Sequence, residues 1–347
     1  MTPAPAAAAR NTNTAAEGEE AYMGNHIFLI GQEHFSKCIQ HGMYGGTSQP
    51  LERINSEIIA SFQAIKPGDF IFFYVRNVGV YGLWKATSLP FFDQSEFWGD
   101  KEQKFPYRIC FEPSIRYFPR PIALNDIMDL QDKGKIWTFD LGAMRQKNHN
   151  PITADEGKEL IRLLLRNNPV FHSVTQIATP YPIGKAELPL SLAVDSKGRI
   201  KYEGYLNAWF MKSFVDGKLK ELIGEYRDFL NYVPTSFNKV MDIFLTHVTS
   251  VDGIDVLHNF TCIELKTGIC TEENLNQIIK YENWLVRKLA SGDNEMVQSI
   301  LVGFDFQDKV LEYVQKRRLI EEKSVRLLKY RVTPKQDDII LSEVELY

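Results

Sequence analysis

Gly253-Ile254-Asp255-Val256-Leu257-His258-Asn259-Phe260-Thr261-Cys262-Ile263-Glu264-Leu265-Lys266 reads as two apolar runs either side of a short connection, His258-Asn259. That pattern predicts a β-hairpin. Residues two apart share a face of a strand, so Cys262, Glu264 and Lys266 point the same way. With His258-Asn259 as the turn, Leu257 pairs with Phe260 and Asp255 with Cys262. Asp255 then lies on the face of Glu264, diagonal to it. Two carboxylates and an ammonium on an apolar sheet are costly unless they pair or hold a cation. Hard divalent cations such as Mg²⁺ take carboxylate oxygens. Asp255 and Glu264 are therefore the expected metal ligands, with Lys266 placed to orient a water or to stabilise developing charge. Asp242, in Val240-Met241-Asp242-Ile243-Phe244-Leu245, is a rival for the acidic role, but nothing in the sequence fixes its face relative to Glu264.

Asp255 followed by Glu264-Leu265-Lys266 resembles the PD-(D/E)xK nuclease superfamily, although the proline of its name-giving motif is absent. Thr267-Gly268 resembles the K-T-G ending of the RecB-like branch. Gln277 and Tyr281, four apart on one predicted helix face, resemble that branch's Q-x-x-x-Y element, there to support the site or touch phosphate. The superfamily often carries a Glu on its first helix, facing the metal, and Glu203 is the candidate; a solvated surface Glu is the alternative. Ile263-Glu264-Leu265-Lys266 and the closing run Leu327 to Val332 also resemble the nuclease domain of the archaeal and actinobacterial mismatch endonucleases. The resemblance implies an Mg²⁺-dependent endodeoxyribonuclease, with Mn²⁺ as a substitute metal.

Working outward, 347 residues suggest two domains. A hydrophobic share of 44 % is ample for packed cores, and a net charge of −4 argues against a broadly basic surface. Nucleic-acid contact would then be local. Lys309 to Arg331 holds eight Lys/Arg against three Glu, which suits phosphate contact or a solvated helix face. Four cysteines without C-x-x-C spacing support neither zinc nor a disulfide framework, so a reducing cytoplasm is the default location. No apolar run is long enough to span a membrane. Residues 1–22, rich in Ala, Thr, Asn and Pro, read as a disordered leader rather than a signal peptide.

From His26 the pattern becomes aromatic. Short strands are predicted at Ile27 to Ile30, Phe70 to Val75, Gly79 to Ala86 and Pro106 to Phe111, with another at Lys135 to Phe139. A helix is expected over Leu51 to Ile65 and a second over Ala154 to Arg166, the latter capped by Thr153 with Glu156 at its third position. His41-Gly42-Met43-Tyr44-Gly45, Phe70 to Val75 running into Gly79-Val80-Tyr81-Gly82, Phe97-Trp98 and Phe105-Pro106-Tyr107-Arg108 resemble the YTH/EVE branch of the PUA-like superfamily. The resemblance implies a cage around a modified base with Tyr44 and Trp98 as walls and Phe97 beside them. It departs at the first wall, where Tyr44 stands in place of the usual Trp. Aromatic faces stack on bases for about 1–3 kcal/mol each, and a base buried in a duplex would have to be flipped out. Ordinary core packing is the competing account of the three aromatics.

The expected architecture is two α+β and α/β domains. A PUA-like β-barrel with flanking helices over 23–170 joins, through a linker over 171–199, a mixed-sheet restriction-endonuclease-like core over 200–347. The linker carries a short strand at Leu190 to Val194, and a helix over Lys218 to Leu230 leads into the core. The expected function is a modification-dependent DNA endonuclease. The alternatives are a repair endonuclease directed to mismatched or damaged DNA, or a nucleic-acid-binding module with an inactive core. DNA carrying a modified base is the expected partner, and one site per chain makes a homodimer the expectation for double-strand cleavage.

Overall fold

A computed structural model describes residues 23–99, 104–139 and 148–345. The first half begins with β1 (Asn25–Ile30), α1 (Gln32–His41), β2 (Met43–Gly46), α2 (Glu52–Gln63), β3 (Phe70–Val75), β4 (Gly79–Ala86), β5 (Phe91–Phe92) and β6 (Tyr107–Pro113). It continues with α3 (Leu124–Asp132), β7 (His149–Ile152) and α4 (Ala154–Asn167). The strands run β2-β6-β4-β3-β1-β7, with β5 on β6, and only β1 and β3 are parallel. The sheet curls into a half-barrel, and among the described residues no ladder joins β2 to β7. Every residue of β1 is buried because both faces are covered. Thr153 and Glu156 form the predicted capping box on α4. Glu156 also accepts from the Trp137 and Thr138 amides at 2.7 and 2.8 Å. Its carboxylate pins Lys135 to Phe139 as an irregular segment instead of the expected strand.

The second half has α5 (Glu203–Val215), α6 (Lys220–Ile223), β8 (Asp228–Pro234), β9 (Val240–Val251), β10 (Ile254–Leu265), β11 (Ile269–Cys270) and α7 (Glu272–Lys288). It closes with β12 (Val297–Gly303), β13 (Asp305–Phe306), α8 (Asp308–Glu321), β14 (Val325–Val332) and β15 (Ile339–Glu343). Its main sheet runs β15-β14-β12-β10-β9-β8, parallel through β10, β12 and β14 and antiparallel at both margins. This is a mixed sheet, as expected. The helix expected over Lys218 to Leu230 shrinks to α6, because Gly224 takes a left-handed φ of 97° and the chain turns into edge strand β8. Residues 171–199 run without helix, held by single bridges such as Phe91 to Glu187 and Val194 to Ile200, the latter standing where a strand was expected.

The hairpin turn lies elsewhere than expected. β9 and β10 are long, and Asp252-Gly253, both left-handed at φ 52° and 81°, make the two-residue turn. Asp-Gly is the pair that a tight hairpin with two positive φ values selects. His258-Asn259 instead sits within β10 at a register shift, where Leu257 faces Val248 and Asn259 faces His247. Asp255 therefore pairs with Ser250 near the exposed hairpin tip, not with Cys262.

The halves share one apolar cluster, running from Phe28 and Phe62 to Phe210 and Ile243. α2 and α5 meet closely at Gly204, where a Cβ would collide with Ser56 Oγ and lie 2.7 Å from the Glu57 amide nitrogen. A buried hydrogen-bond chain braces α2 from within. Asp69 Oδ1 accepts from the Gly24 amide at 2.7 Å and Oδ2 from Lys66 at 2.9 Å. Oδ2 also meets His26 Nε2 at 2.9 Å, His26 Nδ1 meets His149 Nε2 at 2.9 Å, and His149 Nδ1 meets Ser61 Oγ at 2.7 Å. The carboxylate can only accept, so the His26 Nε2–H donates to it. Asp69→Asn reverses one acceptor and strips two amides of a charged partner. The expected loss is about 2–3 kcal/mol of unfolding free energy, read by urea titration, and a change below about 0.5 kcal/mol would contradict the assignment.

Candidate functional site

β9 and β10 pair as far as Ile243 with Ile263, so the next residue along each strand brings Asp242 beside Glu264. The Leu265 amide donates to Asp242 Oδ2 at 2.8 Å, fixing that carboxylate across the strand pair. Glu203, the first residue of α5, approaches from the helix side, and Lys266 follows β10. The Lys266 ammonium lies 2.8 Å from Glu264 Oε1, 2.7 Å from the Leu265 carbonyl, 3.4 Å from Glu203 Oε2 and 4.0 Å from Asp242 Oδ2. Oxygens from three carboxylates and one carbonyl thus surround a single cation position. Asp255 is absent from this set. Nine residues of strand separate it from Glu264, roughly 30 Å at the rise of an extended chain, so Asp242 takes the place expected of Asp255.

The electrostatics follow from burial. Glu264 is 1 % exposed and its Oε2 makes no hydrogen bond. Asp242 is 13 % exposed, and burial, then the charge of Glu264, push its carboxyl up to about 8. Burial and the charge of Asp242 raise Glu203 to about 7, although its side chain is 41 % exposed. Burial raises Glu264 as well. Lys266 is raised against its own burial by the three surrounding carboxylates. The site holds more negative oxygen than one ammonium satisfies.

That imbalance bears on a metal. No group of three or more His, Cys, Asp or Glu side chains is spaced to hold an ion among the described residues. Asp242, Glu264 and the Leu265 carbonyl nevertheless make a hard-oxygen set of the kind Mg²⁺ takes while keeping several waters. Glu264 Oε2 is buried and no donor reaches it, so the donor chemistry is compatible with such an ion although no group of three described side chains is spaced for one.

Gln277 and Tyr281 lie on one face of α7 as expected, and they brace the strand that carries Asp242. Gln277 Nε2 donates to the Tyr281 hydroxyl at 2.7 Å, and that hydroxyl donates to the Val240 carbonyl at 2.8 Å, two residues before Asp242. Asn207, which the sequence reading missed, donates to the Asp242 carbonyl at 3.1 Å. Its place four residues after Glu203, on the same helix face, was the available signal. Tyr232, in a left-handed conformation at φ 55°, stands on β8 between residues paired with Ile243 and Met241.

The aromatic residues divide. Trp98 and Tyr44 line a small pocket of about 130 Å³ with His34, Cys38, Phe105 and Arg76. Tyr44 forms its floor and belongs to the core. Its hydroxyl lies 2.9 Å from both the Leu29 and Asn148 carbonyls, which share its single proton, and its ring packs on Phe28 at 4.4 Å. Trp98 packs on the Gly45 backbone and on Phe105 at 4.8 Å, with its indole nitrogen buried beside the Cys38 thiol. Phe97 points away from this pocket, edge-on to His41 and Tyr181 at 5.2 and 5.3 Å. Arg108, whose positioning role was missed, is fully buried; it pairs with Asp93 at 2.9 Å, bonds Ser95 and Tyr181, and so holds the segment carrying Trp98. A Cβ at Gly45 would lie within 2.8 Å of Trp98 Cζ3. Gly45→Ala is therefore expected to displace the indole. A changed near-ultraviolet circular dichroism spectrum with an unchanged far-ultraviolet one reads this; identical near-ultraviolet spectra would contradict the packing of Trp98 on Gly45.

The basic stretch after Lys309 is mostly spent internally. Arg317 and Lys323 meet buried Glu282 at 2.6 and 3.3 Å, Arg326 meets Glu343 at 2.7 Å, and Lys329 meets Asp305 at 2.7 Å. Exposed cations gather instead in an open groove of about 860 Å³ lined by Lys239, Lys280 and Arg287 beside Gln277. No described helix is long and apolar enough to cross a membrane.

No protein-family model matches the chain, and no curated protein matches it. Solved structures resemble part of it weakly. A hypothetical protein from Leishmania major is 16 % identical, covering 42 % of this chain and 96 % of its own, with a TM-score of 0.33. A protein from Agrobacterium tumefaciens is 22 % identical, covering 42 % and 96 %, at 0.29. The YTH domain of the Zygosaccharomyces rouxii MRB1 protein, in complex with N6-methyladenosine RNA, is 17 % identical, covering 40 % and 84 %, at 0.25.

Proposed function

We propose that this chain is a metal-dependent endodeoxyribonuclease that acts on DNA carrying a modified base. The observation that carries the reading is the convergence of Asp242, Glu264, Glu203 and Lys266 on one cation position. Asp242 and Glu264 would hold Mg²⁺, with Mn²⁺ as a substitute, and the ion would supply charge to the scissile phosphate and acidify a water. Lys266 would orient the attacking water and offset charge on the phosphate as it becomes pentavalent. Glu203, partly exposed and titrating near neutrality in the metal-free site, can take a proton from that water. Gln277, Tyr281 and Asn207 hold the strand that carries Asp242. The Trp98 pocket would take the modified base, with stacking from the indole and apolar contact for an added methyl.

The deciding experiment is Mg²⁺-dependent cleavage of matched plasmids, unmodified, adenine-methylated and cytosine-methylated, with Glu264→Ala alongside. Cutting of one modified plasmid only, abolished in Glu264→Ala, is the expected result. Equal cutting of all three would remove the base-reading function and favour repair of damaged DNA. Cutting that survives Glu264→Ala would place the chemistry elsewhere.

A further inference from the structure

The pocket and the carboxylate site belong to one concavity. A cleft of about 710 Å³ shares Thr47, Arg76 and Asn148 with the Trp98 pocket and is lined at its other end by Glu203 and Asp242. The walls between are α2, through Arg53, Glu57 and Ser61, and the start of α5 at Gly204 and Asn207. These walls are set against each other by the backbone approach at Gly204 and by the shared apolar cluster. The separation of pocket and carboxylates is therefore built into the fold. It does not depend on a flexible tether.

We infer that this cleft is the path of a single DNA strand, running from a flipped base in the Trp98 pocket to the carboxylates, so that the modified strand itself is cut at one fixed offset. The inference rests on the proposed nuclease function and adds to it which strand enters and where it is cut. The chemistry of the lining suits a backbone. Arg76 is exposed, sits at the junction of pocket and cleft, and forms no ion pair among the described residues, so its guanidinium is available to a phosphate. Gln49 adds an amide group along the same wall. Glu57, Glu203 and Asp242 crowd the far end with negative charge and would repel a phosphate without a cation. Binding in the cleft should thus be set by the pocket and Arg76, and the scissile phosphate should settle only once the metal is present.

The test uses the full chain and single-stranded oligonucleotides carrying one N6-methyladenine or one 5-methylcytosine. Photoreactive 4-thiothymidine is placed at successive positions on either flank. In chelator, the expected cross-links come from one flank only and map to α2 and to the peptides around Glu203 and Tyr232. Arg76→Glu should weaken this binding about tenfold and flatten its log–log salt dependence by about one unit, while leaving Mn²⁺ binding unchanged. With Mg²⁺, a hemi-modified duplex labelled on both strands should be nicked on the modified strand alone, at one offset. Cross-links from both flanks, cross-links confined to the Lys239–Arg287 groove, or the absence of modification-dependent binding would overturn the strand path. So would cutting on both strands or at scattered offsets, although the nuclease reading would survive that result. Cross-links in the cleft with no cutting under any metal would keep the strand path and sink the nuclease reading.

Discussion

Asp242→Asn should cost on the order of 10³ in Mg²⁺-dependent cleavage, whereas Asp255→Ala should leave the rate within about twofold, as exposed substitutions far from a site usually do. The contrast discriminates because the two acids lie on the same hairpin and differ in register. Asp242 is held by the Leu265 amide beside a buried Glu264 whose second oxygen has no partner. Asp255 is exposed near the Asp252-Gly253 turn. Metal binding gives a readout that does not depend on finding the right DNA. Mn²⁺ titration followed by electron paramagnetic resonance should show Asp242→Asn and Glu264→Gln each weakening the site at least about tenfold, with Asp255→Ala indistinguishable from the parent. Loss of Mn²⁺ binding in Asp255→Ala with retention in Asp242→Asn would invert the assignment and restore the His258-Asn259 turn.

The hairpin shows where sequence reading works and where it stops. Glu264 and Lys266 were legible because an E-x-K triplet in an apolar strand states its own face, and Glu203 because it opens a helix. The acidic partner depended on register, and a strand's register shifts every side chain when the turn moves. Asp252-Gly253 was present in the sequence as a turn pair, but the polar His258-Asn259 interrupts the apolar pattern more visibly. The structure absorbs that interruption as a register shift within a long, twisted strand pair. The strand's exposed outer part, Ile254 to Val256, carries apolar residues on an unburied surface, so hydrophobic pattern alone could not separate it from the core.

The surroundings of Tyr44 were hard to read for a related reason. Aromatic residues set among glycines look like loop residues, yet Gly45 and Gly46 are buried in β2, where the absence of side chains lets Trp98 and Phe62 pack on the backbone. Tyr44 is consequently a pocket floor with its hydroxyl committed to two carbonyls. Arg108 stood out in a motif, but its positioning role did not, because its partners Asp93, Ser95 and Tyr181 lie 13 to 73 residues away. Long-range polar contacts have no periodicity to read.

Metal-free protein should lose stability as pH rises from about 4 to about 8, and Mg²⁺ should reverse that slope. The sign follows from the carboxyls. Asp242 is raised from 3.8 to about 8 and Glu203 from 4.5 to about 7 in the folded chain. Across that window the native state binds more protons than the unfolded state, so unfolding free energy falls with pH. Lys266, raised from 10.5, does not oppose this, because its contribution is complete below 10.5 and is lost only above it. A cation requires the same carboxylates deprotonated, so its affinity should rise with pH and level off above about 8. The added stability grows as RT ln(1 + [Mg²⁺]/Kd). Thermal melts in chelator should therefore drop by a few degrees between pH 5 and 8.5, and saturating Mg²⁺ should raise Tm most at the alkaline end. Asp242→Asn, which removes a charge that the buried site cannot satisfy alone, should be more stable than the parent in chelator at pH 8.5 and gain little from Mg²⁺. Parallel melting curves for parent and Asp242→Asn across this range, with and without the ion, would mean that the two buried acids neither share protons nor bind metal, and the reading of this site as a catalytic centre would fall with them.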